Sequence, residues 1–117
     1  MLLVALSVLS TALQTSPLPG RETSIAYAAG ALRDWRPDRE DPSIIYVRDR
    51  TLRWYRVTLT GDCPRDRRYD AVRYTTDNNG RFDRTSRVIF SPNLVCLVRS
   101  IRTSAPPPAE ASPKVVR

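Results

Sequence analysis

The sequence contains no histidine, one lysine (Lys114) and no apolar run as long as a membrane-spanning helix requires. Without histidine, the chain lacks the most common general base and the most common metal ligand of proteins. Its two cysteines are too few to complete a zinc site by themselves. We therefore assign no catalytic residue and no metal site, and we predict a protein that is not an enzyme and has no cofactor.

Carboxylates are the acid–base groups that remain, and Asp62, Asp70 and Asp83 are the candidates. No spacing brings two of these carboxylates together predictably, and arginines lie near each of them in the sequence. Surface ion pairs and turn caps are the more common roles for such residues. A carboxylate-based hydrolase stays as the alternative, and it would lose turnover when one of the three is changed.

The N-terminal segment has the character of an export signal. Residues 2–13 read LLVALSVLSTAL, which fits the apolar stretch of a secretory signal, although no basic residue precedes it. Small residues at the spacing of a cleavage site occur early, at Ser10 and Ala12, and later, at Ala26 and Ala28. We predict a targeting segment over residues 1–28, a periplasmic or secreted location and no transmembrane segment. The alternative is the first core element of a cytosolic protein.

Cys63 and Cys96 are the only cysteines, and each lies at the edge of a strand-like run. In an oxidising compartment they would pair. A disulfide closing a loop of this length contributes about 3–4 kcal/mol to stability in the chain-entropy estimate. The alternative is two buried free thiols. We favour the disulfide, because a small domain gains much from a covalent link.

Five strand-like runs fall within residues 29–102, which we predict to be the folded domain of this 117-residue chain. The runs are residues 43–48, 53–60, 69–75, 87–91 and 95–102. Turn signals separate them at residues 49–51, at Asn79-Gly80 and at residues 91–93. We predict an all-β fold, a small five-stranded antiparallel barrel or rolled sheet with one disulfide. Residues 28–35 are consistent with one helical turn or an edge strand, and the Pro/Ala-rich residues 103–117 with a disordered tail.

Alternation along two runs predicts which side chains share a face. The second run places Tyr55, Val57 and Leu59 on one face and Trp54, Arg56 and Thr58 on the other. The last run places Val95, Leu97 and Ile101 on one face and Cys96 and Val98 on the other.

Several of these residues occur together in an order that resembles a known family. The pattern is Trp54-Tyr55-Arg56, then Gly61-Asp62-Cys63, then Phe82-Asp83-Arg84, then Cys96, with Asp34-Trp35 upstream. It is similar to a family of small secreted bacterial proteins classified as a domain of unknown function. The resemblance covers about residues 33–102. It implies export and a disulfide, and it implies no activity.

The net charge of +7 comes almost entirely from arginine. We select a candidate anion-binding surface that consists of Arg53, Trp54, Arg56, Arg65, Arg67 and Arg68. Guanidinium groups bind phosphate and carboxylate with two hydrogen bonds, so we predict a non-enzymatic envelope module with an anionic envelope component as a possible partner. The alternatives are a solvated face paired with nearby aspartates, a nucleic-acid-binding β-barrel, and a small enzyme or enzyme inhibitor.

Overall fold

The computed structural model describes residues 18–61, 63, 71–90, 93–108 and 114–116, which form strands and connecting loops with no helix among them. The strands are β1 (Asp34–Pro37), β2 (Ile44–Arg48), β3 (Trp54–Leu59), β4 (Ala71–Tyr74), β5 (Arg87–Phe90), β6 (Leu94–Ser104) and β7 (Lys114–Val116). The predicted all-β class is confirmed, and the five predicted runs correspond to β2 through β6. Within the described ranges no helix is long and apolar enough to cross a membrane.

The sheet curls into a barrel with the strand order β1-β2-β3-β6-β5-β4-β7. Strands β1 to β6 are antiparallel to their neighbours, and the short β7 joins the two sides by pairing with β1 and, in parallel, with β4. Closure removes the unpaired strand edges that otherwise promote aggregation. The small barrel that the sequence predicts is therefore present, with β1 and β7 in addition to the five expected strands.

The barrel interior is filled by the inward residues of the strands. Tyr55, Val57 and Leu59 on β3 are buried, as their alternation predicts. Aromatic rings contact one another in the core: the Trp35 ring lies 5.8 Å from Tyr74 and 6.4 Å from Phe82, centroid to centroid. The Trp35–Phe82 contact is edge-to-face, an arrangement that adds to the stabilisation from burial.

Strand β6 departs from the predicted alternation because it contains a β-bulge. Thr58 is opposite Ser100 and Leu59 is opposite Val98, so Arg99 has no partner of its own on β3. The extra residue returns Ile101 to the inner face together with Val98 and Cys96, while Val95 and Leu97 face outward and are half exposed. The prediction that Val95 and Leu97 share a face with Ile101 is therefore wrong.

A segment before β1, residues 20–28, packs on the barrel as a strap. Its backbone bonds to β6 through Gly20 N to Thr103 O and Thr23 N to Ile101 O, both 2.8 Å. Further along, Ile25 exchanges two backbone hydrogen bonds with Phe82 and is fully buried. The folded part thus begins earlier than the boundary predicted at residue 29, and cleavage after Ala28 would remove Ile25 from the core.

The strands also extend beyond the predicted C-terminal boundary at residue 102. Strand β6 continues to Ser104 because its neighbour β3 begins opposite it at Trp54, and Lys114–Val116 pair as β7. Both segments lie within residues 103–117, which the sequence predicts to be disordered. The apolar run at residues 2–13, residues 91–92 of a predicted turn and residues 109–113 lie outside the described residues.

The predicted disulfide is present between Cys63, just after β3, and Cys96 in β6, with a Cα–Cα distance of 5.7 Å. The two cysteines are 33 positions apart in sequence, and the bond links the segment after β3 to the neighbouring strand β6. Cys96 is buried in the core and Cys63 packs against the same cluster. The disulfide therefore attaches the segment that follows β3 to the wall of the barrel.

Two hairpin turns in the barrel have the same hydrogen-bond pattern. In the β2–β3 turn, Asp49 N donates to Arg53 O and Leu52 N donates to Asp49 O. In the turn before β5, Asp77, Gly80 and Arg81 make the corresponding bonds. Each aspartate also accepts hydrogen bonds from backbone N–H groups two and four positions later. The fourth residue is left-handed in both turns, with φ of 68° at Leu52 and 76° at Gly80.

The left-handed position of such a turn is normally glycine. Gly80 meets this requirement, whereas Leu52 does not, and a side chain in this conformation costs about 1 kcal/mol. The β2–β3 turn is therefore held by Asp49, whose carboxylate accepts four hydrogen bonds, including one of 2.9 Å from the Tyr55 hydroxyl. Partial burial raises the pKa of Asp49, but these bonds outweigh it and hold the pKa below its usual value.

We expect the strap to be required for stability. A chain that begins at residue 29 loses the buried Ile25 side chain and the strap's backbone hydrogen bonds, so its free energy of unfolding falls by roughly 4 kcal/mol or more. A chain that begins at residue 18 keeps all of these contacts and serves as the control. Urea denaturation of both chains measures the difference, and equal midpoints would show that the strap contributes nothing.

We expect the Asp49 carboxylate to make stability depend on acid pH. Its folded pKa is lowered, so its contribution is complete at neutral pH and is lost as the pH falls below about 4. Asp49→Asn should be less stable than the wild type at pH 7, and the difference should shrink towards pH 3. The free energy of unfolding measured across this range tests the prediction, and a constant difference contradicts it.

Candidate anion-binding face

Three arginines lie in one row across the outer face of four neighbouring strands. Arg36 on β1 is opposite Tyr46 on β2, Tyr46 is opposite Arg56 on β3, and Arg56 is opposite Arg102 on β6. Residues opposite each other in a sheet project to the same side. Val57 follows Arg56, Ile101 precedes Arg102, and both apolar residues are buried on the inner face. Alternation along each strand therefore places the two arginines on the outer face.

The next row contains Trp54, which lies under two guanidinium groups. The Arg36 guanidinium carbon is 5.0 Å from the Trp54 ring centroid, and that of Arg48 is 5.6 Å away. Arg48 is also opposite Trp54 in the sheet and forms an ion pair with Asp34. Cation–π attraction of this kind holds each guanidinium against the ring, and only 7% of Trp54 remains exposed. We name Arg36, Arg48, Arg56 and Arg102, with Tyr46 and Trp54 beneath them, the arginine face.

Hydrogen bonds fix other members of the arginine face. The Tyr46 hydroxyl donates to Asp38 Oδ1 at 2.9 Å, and the Asp38 carboxylate also accepts from the backbone of the following turn. Arg102 Nη1 donates to Gly20 O in the strap at 3.0 Å. Arg36 Nε is buried and bonds to none of the described groups. Hydrogen bonds therefore hold Tyr46 and Arg102 in place, while the Arg36 Nε–H donor bonds to no described group.

Most described aspartates are occupied in turns, and Glu22, which is bridged to Arg102 through the strap, lies 3.9 Å from Arg84 Nη1. Asp41 accepts from Ser43, Asp49 from the β2–β3 turn, Asp77 from its own turn, and Asp83 from Thr85. These bonds from Thr85 keep the pKa of Asp83 below its usual value. Within the described ranges no carboxylate pairs with Arg36 or Arg56. The alternative in which aspartates neutralise the arginines therefore does not describe these two residues.

The predicted surface residues separate into those that the structure describes and those that it does not. Arg56 is a member of the arginine face, and Trp54 is its buried support. Arg53 precedes β3 and lines a cleft beside Trp54 that also contains Arg21, so it lies at the margin of the face. Arg65, Arg67 and Arg68 lie outside the described residues, as do the weighed carboxylates Asp62 and Asp70.

Four members of the arginine face are absent from the sequence prediction: Tyr46 and the three arginines Arg36, Arg48 and Arg102. Arg48 closes a run in which Tyr46 and Arg48 alternate with Val47, so its position opposite Trp54 follows once the β2–β3 hairpin is paired. Arg102 joins the row only through the long-range pairing of β3 with β6 and through the bulge, which has no signal in the local sequence.

We expect Arg56 to be unnecessary for folding. Its neighbour Arg102 carries the same charge, and like charges directly opposite in a sheet destabilise it by several tenths of a kcal/mol. Arg56→Thr should therefore leave the free energy of unfolding unchanged or raise it slightly, since threonine suits a strand. Arg87→Thr, opposite Leu97, is the control without a like-charged neighbour. Urea denaturation gives the comparison, and a loss above about 1 kcal/mol for Arg56→Thr would assign it a structural role.

The chain matches no protein-family model, no curated protein and no solved structure. The resemblance to a secreted family therefore stays a prediction, and the chemistry of the arginine face carries the functional argument.

Proposed function

We propose that the protein is a non-enzymatic module of the cell envelope that binds an anionic polymer on its arginine face. The observation that carries the proposal is the row of Arg36, Arg56 and Arg102, in which Arg36 and Arg56 have no described carboxylate partner. An arrangement that places like charges opposite each other costs stability. A bound anion would compensate for this cost and would account for the arrangement.

The spacing of the row suits repeated anionic groups. Neighbouring strands lie about 4.8 Å apart, so the backbones at Arg56 and Arg102 are one strand apart and those at Arg36 and Arg56 about 10 Å apart. Arg56 and Arg102 are close enough to hold one phosphate or carboxylate between them with charge-assisted hydrogen bonds. Arg36 would then contact the next group along the same polymer.

The compartment is part of the proposal. The Cys63–Cys96 disulfide is compatible with an oxidising compartment, where such bonds persist. The apolar run at residues 2–13 supports export by its composition. A periplasmic or secreted protein of net charge +7 would be attracted to phosphate- and carboxylate-bearing polymers of the envelope.

Single-stranded nucleic acid is the second candidate, and the burial of the aromatic rings disfavours it. Such proteins stack bases on exposed aromatic faces. Trp54 is covered by Arg36 and Arg48, and Tyr46 is 1% exposed. The arginine face therefore offers guanidinium groups to phosphates but no open ring to a base.

Binding to a soluble anionic polymer tests the proposal. The full chain is titrated into fluorescently labelled polyphosphate and, separately, poly-glutamate at about 0.15 M salt, where exposed charges interact only over short distances. We expect binding that weakens about tenfold or more in the double variant Arg56→Gln/Arg102→Gln, because charge-assisted hydrogen bonds are lost.

The matched control is Arg73→Gln/Arg87→Gln, which removes the same charge from exposed positions on β4 and β5. We expect this control to weaken binding much less. Equal losses in the two double variants would show attraction to the overall charge without a site, and no binding of either polymer would reject the proposal. A single-stranded DNA competitor that binds far more tightly than both polymers would favour the second candidate.

A further inference from the structure

Leu52, at the tip of the β2–β3 hairpin, combines two unfavourable properties. It is 67% exposed, and its backbone is left-handed with φ of 68°. Exposure of a leucine is common by itself. Together with a backbone conformation that disfavours every side chain, it makes this residue costly for folding. Strain that persists at one residue is a reason to look for a function there.

The equivalent turn in the same chain shows what folding alone requires. Gly80 occupies the same position, with φ of 76° and the same hydrogen bonds to its capping aspartate. At Gly80 an added Cβ would make ordinary contact with the Ala29 side chain, 3.5 Å away. The barrel thus uses glycine in one turn and leucine in its counterpart, and the leucine side chain is the difference that folding does not explain.

Four exposed arginines surround this leucine. Leu52 lines two adjacent clefts, of which one contains Arg21 and Arg53 and the other contains Arg33 and Arg50. Within the described part of the chain none of these four guanidinium groups is paired with a carboxylate. The carboxylates closest to the tip are occupied, since Asp49 caps the turn and Asp34 pairs with Arg48.

We propose that the hairpin tip docks on an anionic lipid bilayer, with Leu52 entering the interface and the four arginines contacting lipid phosphates. An exposed apolar side chain within a ring of cations complements such a surface, where acyl chains begin just below a layer of negative charge. Because the contact uses the hairpin tip and not the arginine face, the inference goes beyond the proposed polymer binding and does not depend on it.

The surrounding charge and the backbone conformation distinguish the tip from Leu97, another exposed apolar residue. Leu97 is also half exposed, at 52%, but its backbone belongs to the regular strand β6, and one arginine, Arg87, is opposite it. Leu97 has no strained backbone conformation, so it lacks the feature that indicates a function for Leu52. It therefore provides a matched control for the loss of an exposed leucine.

Vesicle binding by the full chain tests the proposal. Sedimentation with vesicles of phosphatidylcholine, with or without phosphatidylglycerol, gives the partition coefficient of each variant. We expect the wild type to bind the anionic vesicles only. Leu52→Gly and Leu52→Asn should bind about tenfold more weakly, which corresponds to ~1.4 kcal/mol. Arg50→Gln/Arg53→Gln should lose about thirtyfold, because each cation near an anionic surface contributes to binding.

Thermal unfolding of the same variants separates function from folding. Leu52→Gly should keep or raise the melting temperature, by about 4 °C if the backbone strain is fully relieved. A variant that is at least as stable but binds vesicles more weakly is the expected result. Leu97→Thr should bind as the wild type does.

Several outcomes would overturn the proposal. These are unchanged vesicle binding in Leu52→Gly, an equal loss in Leu97→Thr, or binding to neutral vesicles as well. Self-association of the wild type that Leu52→Gly abolishes, seen by sedimentation velocity, would assign the tip to a second copy of the chain. Leu52→Gly should keep its binding to polyphosphate, and a parallel loss of vesicle and polymer binding would place Leu52 in the polymer site.

Discussion

The pairing of β3 with β2 on one side and with β6 on the other is the constraint on which the rest of the structure depends. This one strand supplies Tyr55, Val57 and Leu59 to the core, and Trp54 and Arg56 to the outer face. It follows the strained hairpin tip and ends four residues before Cys63 of the disulfide. A shift of one residue in its register would exchange the two faces. The core and the arginine face are therefore specified by the same hydrogen bonds.

Local sequence is sufficient to predict β2, β3 and the all-β class. The β-branched and aromatic residues of β2, which are buried on both faces, indicate a strand, and the alternation along β3 indicates which of its residues face the core. Alternation failed on β6, where the bulge at Arg99 changes the inner face between Val98 and Ile101. It also missed the strap, since Ile25 and Ala28 are buried through isolated bridges and a turn, without a periodic pattern. Arg56 was found because it alternates with core residues, whereas Arg102 is brought beside it by a contact distant in sequence.

The hairpin tip shows a signal that the sequence contains but that periodicity does not detect. Asp49 and Arg53 have the same spacing as Asp77 and Arg81, and the structure shows that both pairs frame the same turn. Comparison of the two segments places Leu52 where Gly80 occurs. Comparison of two copies of one turn within the same chain therefore identifies a residue that departs from the shared pattern, here Leu52.

The distribution of charge follows from how the barrel forms its turns. Tight turns need acceptors for backbone N–H groups, and the described aspartates at positions 38, 41, 49, 77 and 83 serve as those acceptors. A carboxylate that is committed to a turn is held close to its own backbone and is not free to extend to a guanidinium on the sheet. The described aspartates thus lie in loops, except Asp34 on β1, whereas Arg36, Arg48, Arg56 and Arg102 lie on β1, β2, β3 and β6. The excess of positive charge on one face is then a consequence of the use of aspartates in turns. The formation of turns does not, however, require Arg56 and Arg102 to lie directly opposite each other.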